Sequence, residues 1–351
     1  MTNRHGLQIF DAQVPFGRKA GLEGVTLQVA RGERVALLGP SGVGKTSLLR
    51  AIAGLGTLQS GTVLVDGREV TAAPPEGRGI VYMHQSPSLF AHLSVLDNIA
   101  FPLEVRGVLR SEARAKAAEL LARVQLQPVA SRRPSTLSGG QRHRVALARA
   151  LAADPAVLLL DEPFTSLDPE LRAEVREAVV DLLQRGEGPA VVLVTHDVNE
   201  AAALADRLVV LLHARIAQIG VPADVLASPR SVAVARFLGL PNLMRGVRDE
   251  RAIVTCALGV FERPGPPGPV VVTARSSALR VRARQGGAPI GIVRGILDRV
   301  DGTLVRIEVN GEQLLALPEP GTPCAVNATM DVVVDPGSFH VIEPDDPDGR
   351  R

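Results

Sequence analysis

Eight consecutive residues, Gly39-Pro40-Ser41-Gly42-Val43-Gly44-Lys45-Thr46, fit the pattern G-x-x-x-x-G-K-[ST] at every required position. Glycines there let main-chain N–H groups close around phosphate oxygens without interference from a Cβ, and a following helix adds the positive end of its dipole. Lys45 would reach the β- and γ-phosphates and the Thr46 hydroxyl would ligate Mg²⁺. Only three lysines occur in the chain, Lys19, Lys45 and Lys116, so an arginine-biased sequence still has lysine where a compact point charge is needed. These residues predict binding of a nucleoside triphosphate.

Two further stretches carry chemistry. Val157-Leu-Leu-Leu-Asp161-Glu162 brings two adjacent carboxylates to the end of an apolar run, which is costly unless a cation or a reaction needs them. Asp161 would hold Mg²⁺ and Glu162 would polarise the water that attacks the γ-phosphate; a solvated Asp-Glu turn is the alternative. Leu137-Ser138-Gly139-Gly140-Gln141 precedes a helical stretch, Arg142 to Ala152, and presents a hydroxyl and bare N–H groups at its start. That is a second anion site. One ATP does not need two such cradles in one chain, whereas two chains head to tail could each cover the other's phosphates.

The elements that must position these residues follow from the apolar pattern. Val35–Leu38 reads as a strand buried on both faces, and Leu48, Leu49 and Ile52 share one helical face that Gly54 ends. Residues 7 to 38 alternate short apolar runs with glycines, an antiparallel β-layer leading into the phosphate loop. Phe16 falls between two such runs, as core packing or as a flat surface for a base. Asp66-Gly67 marks a hairpin and Gly79–Met83 a strand ending at His84-Gln85. Helical periodicity from Ser111, a candidate cap, to Leu126 makes the region 86–153 a mainly helical insertion. Strands return at Val157–Leu160 and Val191–Val194, separated by a helix over 169–184, which implies a twisted parallel sheet. Segments 208–212 and 215–219 and a helix over 222–238 close a first domain, residues 1–240. From about 241 the helical period disappears, and Asp301-Gly302 and Asn310-Gly311 mark hairpins of a small β-barrel or sandwich, 241–351. The tail from Asp345 reads as disordered.

Composition excludes several classes. At 351 residues, with 46% hydrophobic and 22% charged residues, the chain is an ordinary globular protein of two domains. A formal net charge of +2 and the lack of a basic run with interleaved aromatics argue against nucleic acid as a partner. Cys256 and Cys324 match no metal spacing and read as buried, reduced thiols. No signal core and no apolar run of the ~18 residues that cross a bilayer is present, so in a membrane process other chains must do the spanning.

Taken in order, Gly39–Thr46, Gln85, Leu137–Gln141, Leu158–Glu162, Ser166-Leu167-Asp168 and Thr195-His196-Asp197 resemble an ABC-transporter ATPase over residues 7 to about 238. The resemblance implies a P-loop NTPase α/β domain with an antiparallel β-layer and a helical insertion. It also implies an ATP-sandwich homodimer. ATP would lie along Gly39 to Thr46 and Ser47, with Phe16 stacked on adenine and Ser138 to Gln141 supplied by the partner chain. Gln85 would link Mg²⁺ to the membrane partner, His196 would contact the γ-phosphate, and Asp168 would work across the dimer interface. The all-β C-terminal region is similar to the accessory barrel of importer ATPases. It has Ala274-Arg-Ser-Ser277 where many relatives carry an Arg-Pro-Glu turn, and His213-Ala214 stands where they usually place a glycine. An importer for a small polar or charged solute is expected, of the iron, polyamine, thiamine or oxyanion type. Two membrane permease subunits, a separate solute-binding protein and a place on the cytoplasmic face of the inner membrane complete it. The alternative is a soluble ABC ATPase of DNA repair or translation, which usually carries two cassettes or a long coiled coil; this chain has one cassette and no such coil.

Overall fold

The computed structural model describes residues 6–343 except 17, 18, 87, 166, 167, 184–187, 300, 301 and 335; the tail from Asp345 lies outside them. The chain forms two compact units, Met1–Val225 and Leu226–Arg351, so residues 226–240 cluster with the second.

The first unit is built on a six-stranded sheet in the order Arg215–Gly220, Arg207–Leu212, Arg34–Leu38, Ala190–Val194, Val157–Asp161, Ile80–Met83. Its first strand runs antiparallel and the other five are parallel. Every residue of Arg34–Leu38, Val157–Asp161 and Ala190–Val194 is buried, as the unbroken apolar runs require of strands covered on both faces. Successive side chains feed different cores. Val157 and Leu159 join Leu48, Leu49 and Ile52 of the helix Lys45–Ala53, whereas Leu158 and Leu160 join Ile99, Leu121 and Leu147 of the helical insertion. That insertion comprises the helices Val95–Val105, Arg110–Arg123 and Gly139–Ala152. A separate antiparallel sheet, ordered Lys19–Val29, Leu7–Phe16, Ser60–Val65, Arg68–Glu69, covers the phosphate-loop face.

Parallel strands bring their C-terminal ends to one edge. Gly39, His84-Gln85, Glu162 and Thr195-His196 follow directly from strands of this sheet and Asp161 ends one, so the topology gathers segments up to 157 residues apart in sequence along one rim.

Several local expectations change. Ser111 does not cap its helix: the cap position is Leu109, with no side-chain bond. The helix expected over 222–238 is two short ones, Pro222–Ala227 and Val232–Phe237, because Pro229 interrupts it and Ser231 caps the second. Phe16 ends a strand instead of lying in a loop, and its side chain lies outside what the structure describes.

The second unit pairs a five-stranded antiparallel sheet, ordered Gly259–Glu262, Ile253–Cys256, Asn242–Arg248, Gly268–Ala274, His340–Ile342, with a closed barrel. The barrel runs Leu279–Arg282, Glu312–Pro318, Gly302–Val309, Ile290–Arg299, Thr329–Val334. Met244 and Val272 of the sheet share one core with Ile307 and Val332 of the barrel. Asn310 (φ 48°) and Gly311 (φ 81°) form the two-residue turn their types demand. Cys256 and Cys324 are half-buried, free thiols, and desolvation pushes both above the ordinary cysteine value.

Candidate functional site

The phosphate loop begins where strand Arg34–Leu38 ends. Gly42 (φ 80°) and Gly44 (φ 105°) adopt left-handed backbone, which turns successive N–H groups toward one concavity. A Cβ on Gly44 would come within 3.0 Å of the Leu22 side chain, so glycine is needed for space as well as for φ. The Lys45 ammonium is buried and donates to the carbonyl oxygens of Gly39 (2.8 Å) and Pro40 (3.1 Å). Burial holds its pKa below the ordinary lysine value, and the Glu162 and Asp161 carboxylates pull it partly back.

Thr46 and Asp161 meet directly, the Thr46 hydroxyl donating to Asp161 Oδ1 at 2.9 Å. Tyr82, on the neighbouring strand, donates its hydroxyl to Asp161 Oδ2 at 2.7 Å. Desolvation and that bond hold the Tyr82 phenol protonated, well above its usual range. Two hard oxygen donors so close suit Mg²⁺, which binds through few protein oxygens and completes its shell with phosphate and water. Among the described residues no group of three His, Cys, Asp or Glu forms an all-protein metal cage.

Glu162 is held in left-handed backbone (φ 46°), with its N–H on the Val194 carbonyl (3.0 Å). A non-glycine residue held so is strained, and such strain concentrates where function requires a fixed side chain. Its Oε2 accepts from the Thr165 hydroxyl (3.1 Å) and lies 3.7 Å from His196 Nδ1. His196 is 56% exposed, whereas Thr195 before it is buried and donates to Glu200 Oε2 at 2.9 Å.

Ser138 and Gln141 form a reciprocal cap: Ser138 Oγ accepts from the Gln141 N–H (3.2 Å), and Gln141 Oε1 accepts from the Ser138 N–H (3.0 Å). Ser138 thereby keeps its hydroxyl proton free to donate. Gly140 does more than expose an N–H, because a Cβ there would stand 2.8 Å from Leu171 Cδ2. Asp168 caps the helix Pro169–Leu182, accepting from the Leu171 N–H at 3.0 Å. The preceding Ser166 and Leu167 lie outside the described residues. Among the described residues no hydrogen bond joins Ser138, Gln141 or Asp168 to the phosphate loop.

Gln85 is exposed, and its main-chain carbonyl lies 3.0 Å from Nε2 of buried His143, whose Nδ1 lies 3.1 Å from the Gly139 carbonyl. Sequence reasoning missed His143 and Tyr82, since neither belongs to a local pattern. The Ser138–Gln141 cap was missed as well, although the S-x-x-Q spacing is a local signal that could have found it. Arg78 was also missed; it donates to the Ala51 and Ile52 carbonyls that end the phosphate-loop helix.

The family profile described as "ABC transporter" matches residues 22–165, and one for an "AAA domain, putative AbiEii toxin" overlaps it at 130–202. A sulfate/thiosulfate import ATP-binding protein of Mycobacterium tuberculosis is 42% identical over 308 residues, covering 87% of this chain and 83% of the relative. The chain belongs to the ATP-binding subunits of ABC importers. A ferric-ion import ATP-binding protein of Streptomyces avermitilis is 43% identical over 280 residues, 78% of this chain and 80% of the relative. A spermidine/putrescine import ATP-binding protein of Thermotoga maritima is 38% identical over 289 residues, 79% and 78% of the two. As an importer ATP-binding subunit the chain binds and hydrolyses ATP, and it joins the P-loop α/β domain of this family to a C-terminal region with a closed five-stranded barrel. Among the described residues no helix is long and apolar enough to cross a membrane.

Proposed function

We propose that the chain works as a homodimer closing on two ATP molecules. It would sit at the cytoplasmic face of the inner membrane beneath two permease subunits fed by a solute-binding protein. The observation that carries this reading is the meeting of Thr46 with Asp161 beside Lys45 at the end of a parallel sheet.

Mg²⁺, bound with ATP, would neutralise phosphate charge as the terminal phosphoryl group leaves. Thr46 Oγ1 and Asp161 Oδ1 are the oxygens to hold it, while Tyr82 occupies Oδ2 and fixes the carboxylate's orientation. The N–H groups of Gly39 to Thr46 wrap the phosphates, with Ser41 and Ser47 at the margins and Lys45 moving from its loop carbonyls to phosphate oxygen. Phe16 stacks on the base. Glu162 takes a proton from the attacking water, and His196, across from its Oε2, orients the γ-phosphate. From the second chain, Ser138 donates its hydroxyl and Gly139 and Gly140 their N–H groups to the same phosphates; Gln141 holds that serine, and Asp168 acts at the interface.

Gln85 carries the state of the nucleotide outward. Next to it lies a cleft of about 260 Å³ lined by Met83, His84, Ser88, Pro102 and Arg149, the place we assign to a cytoplasmic helix of the permease. Phe90 stands at its margin, held by Arg149 over its ring and by Asn98, which bonds both its N–H and its carbonyl. For the solute, the relatives' names span sulfate/thiosulfate, ferric ions and polyamines, which supports a small charged cargo.

The test is Glu162→Gln, which keeps shape but removes the base. Hydrolysis should fall roughly 10²–10⁴-fold. ATP binding should survive, and with Mg²⁺ and ATP the variant should elute as a dimer that wild type forms only transiently. Near wild-type hydrolysis, or a monomer with ATP bound, would overturn the reading. Solute class is read separately, by identifying the ligand of the binding protein that co-purifies with the permease complex.

A further inference from the structure

The first unit divides its candidate nucleotide groups between two apolar cores. Leu48, Leu49 and Ile52, on the helix that begins at Lys45 and Thr46, belong to one. The helix capped by Ser138, Gly139–Ala152, and the helix capped by Asp168, Pro169–Leu182, belong to the other. Val145 and Leu147 of the first are buried there with Val175 and Val179 of the second. The two caps therefore stand on a different core from the phosphate loop.

Three contacts lock the helix of Asp168 to the helical insertion. Leu171 fills the space over Gly140, where a Cβ would come within 2.8 Å of Leu171 Cδ2, so the two helices touch at their first turns. One turn on, Arg144 Nη2 donates to Glu174 Oε2 at 2.9 Å. At the far end, Arg123 Nη2 donates to the carbonyls of Asp181 (2.8 Å) and Leu182 (3.1 Å), which close the helix Pro169–Leu182. Arg144 and Glu174 each stand six positions after the cap of their own helix, 138 to 144 and 168 to 174. Contacts that advance together along both helices set them side by side, with Ser138 and Asp168 at the same end.

Arg144 is the member of this set that packing does not explain. Its side chain is only 14% exposed; Nη1 donates to the Val124 carbonyl at 3.2 Å, and Nε is buried without a partner. Drawing a guanidinium in that far costs desolvation. Its partner Glu174 is 44% exposed, and an ion pair so open to solvent contributes little to stability. The rigid fork does fix geometry, since one planar group holds the end of the helix Arg110–Arg123 and the second turns of the two capped helices.

We propose that the Arg144–Glu174 pair is a positioning device for the reaction at the partner's nucleotide. It holds the two caps at a fixed spacing, so that Ser138 and Asp168 meet the partner chain as one unit. This rests on the homodimer reading above, in which both caps act across the interface. The pair lines a cleft of about 220 Å³ with Glu177 and Asp181, which leaves room for the two charges to be exchanged.

The test uses the full chain carrying Glu162→Gln, whose dimer with Mg²⁺ and ATP is followed by sedimentation over a range of protein concentration. Glu174→Arg sets two like charges side by side and should weaken that dimer roughly tenfold or more. Arg144→Glu should do the same, and the two together, an ion pair with its signs exchanged, should recover most of the loss. ATP affinity, measured by calorimetry below the dimerising concentration, should stay within about twofold, because the pair touches no group of the phosphate loop. Glu174→Gln leaves Arg144 its Val124 carbonyl and should weaken the dimer by less than Glu174→Arg. Should the charge reversals not fold, this milder variant decides, and a dimer it leaves unchanged overturns the proposal. So does a dimer unchanged by Glu174→Arg, a loss that the double exchange does not recover, or an equal loss of ATP affinity. Failure of Glu162→Gln alone to dimerise is a different result: it brings down the homodimer reading, and this proposal with it.

Discussion

The ring of His143 lies 3.0 Å from the carbonyl oxygen of Gln85, and its other nitrogen lies 3.1 Å from that of Gly139. One buried side chain thus ties the loop that follows the edge strand Ile80–Met83 to the first turn of the helix Gly139–Ala152. In the dimer proposed above, Gln85 would serve the chain's own nucleotide and Gly139 the partner's, so His143 would link the two sites. Both neighbours are main-chain carbonyl acceptors.

His143→Leu should uncouple these segments without touching the phosphate loop. Small displacements of positioning groups cost up to ~10²-fold in rate, so ATP turnover should fall between about tenfold and a hundredfold. Nucleotide affinity should stay within about twofold of wild type, because Lys45 and Thr46 keep their partners. Steady-state kinetics beside calorimetric ATP binding checks this; a proportional loss of affinity would show that His143 supports the nucleotide site itself.

Arg78 is expected to be the costliest surface-proximal residue to lose. Its guanidinium donates to four carbonyls, those of Ala73 (2.9 Å), Ala51 (3.2 Å), Ile52 (2.8 Å) and Thr71 (2.8 Å). Two of them end the phosphate-loop helix, where carbonyls lack intrahelical partners. Gly54 makes room, since a Cβ there would meet Arg78 Nε at 2.6 Å. Arg78→Met leaves these acceptors buried and unpaired, for a loss of roughly 2–4 kcal/mol. Chemical denaturation should show it as a lower midpoint with an unchanged slope.

Arg78 and His143 also mark the limit of sequence reasoning. The phosphate loop, Asp161-Glu162 and Ser138–Gln141 were legible because each concentrates its chemistry within a few adjacent residues, next to strands and helices with clear apolar periods. Arg78 acts on carbonyls up to 27 positions away, and His143 on one 58 away. Nothing local distinguishes them from a solvated arginine or a packed histidine. Tyr82 escaped for the same reason, since its partner Asp161 lies on a different strand of the parallel sheet. Turn chemistry was legible only where glycine announced it. Asn310-Gly311 was readable, whereas His213-Ala214 adopts the same left-handed turn without a glycine.

That turn gives a stabilising prediction. His213 (φ 49°) and Ala214 (φ 65°) join the antiparallel strands Arg207–Leu212 and Arg215–Gly220, and the Ala214 carbonyl accepts the Glu23 N–H at 3.0 Å. Left-handed backbone costs an L-residue roughly 1–2 kcal/mol, of which glycine's greater unfolded freedom takes back about 0.4–1 kcal/mol. Ala214→Gly should stabilise the first unit by about 0.5–1 kcal/mol. A calorimetric melt should move up by roughly 1–4 °C. A lower melting temperature would mean that the alanine methyl packs more usefully than its backbone is strained.

A pH-dependent prediction rests on Glu200, buried beneath Thr195 and beside His196. Desolvation raises its pKa above the ordinary carboxylate value; the Thr195 hydroxyl bond (2.9 Å) lowers it, Asp197 raises it, and Arg172 and His196 lower it. The net shift is upward. A raised folded pKa means that the native state holds the proton more tightly than the unfolded chain. The associated stability is fully present below the unfolded value of about 4.3 and is lost as pH rises through the folded one. Above that window the buried carboxylate is charged and stability is diminished. Glu200→Gln removes the charge and keeps an acceptor for the Thr195 hydroxyl. The variant should therefore melt above wild type at pH 7 to 8, and the gap should close as pH falls toward about 4. Melting curves of both proteins across this range decide the matter. If wild type is the more stable at pH 8, the Arg172 charge outweighs burial, and Glu200 acts there as an ion-pair partner holding the Thr195-His196 loop.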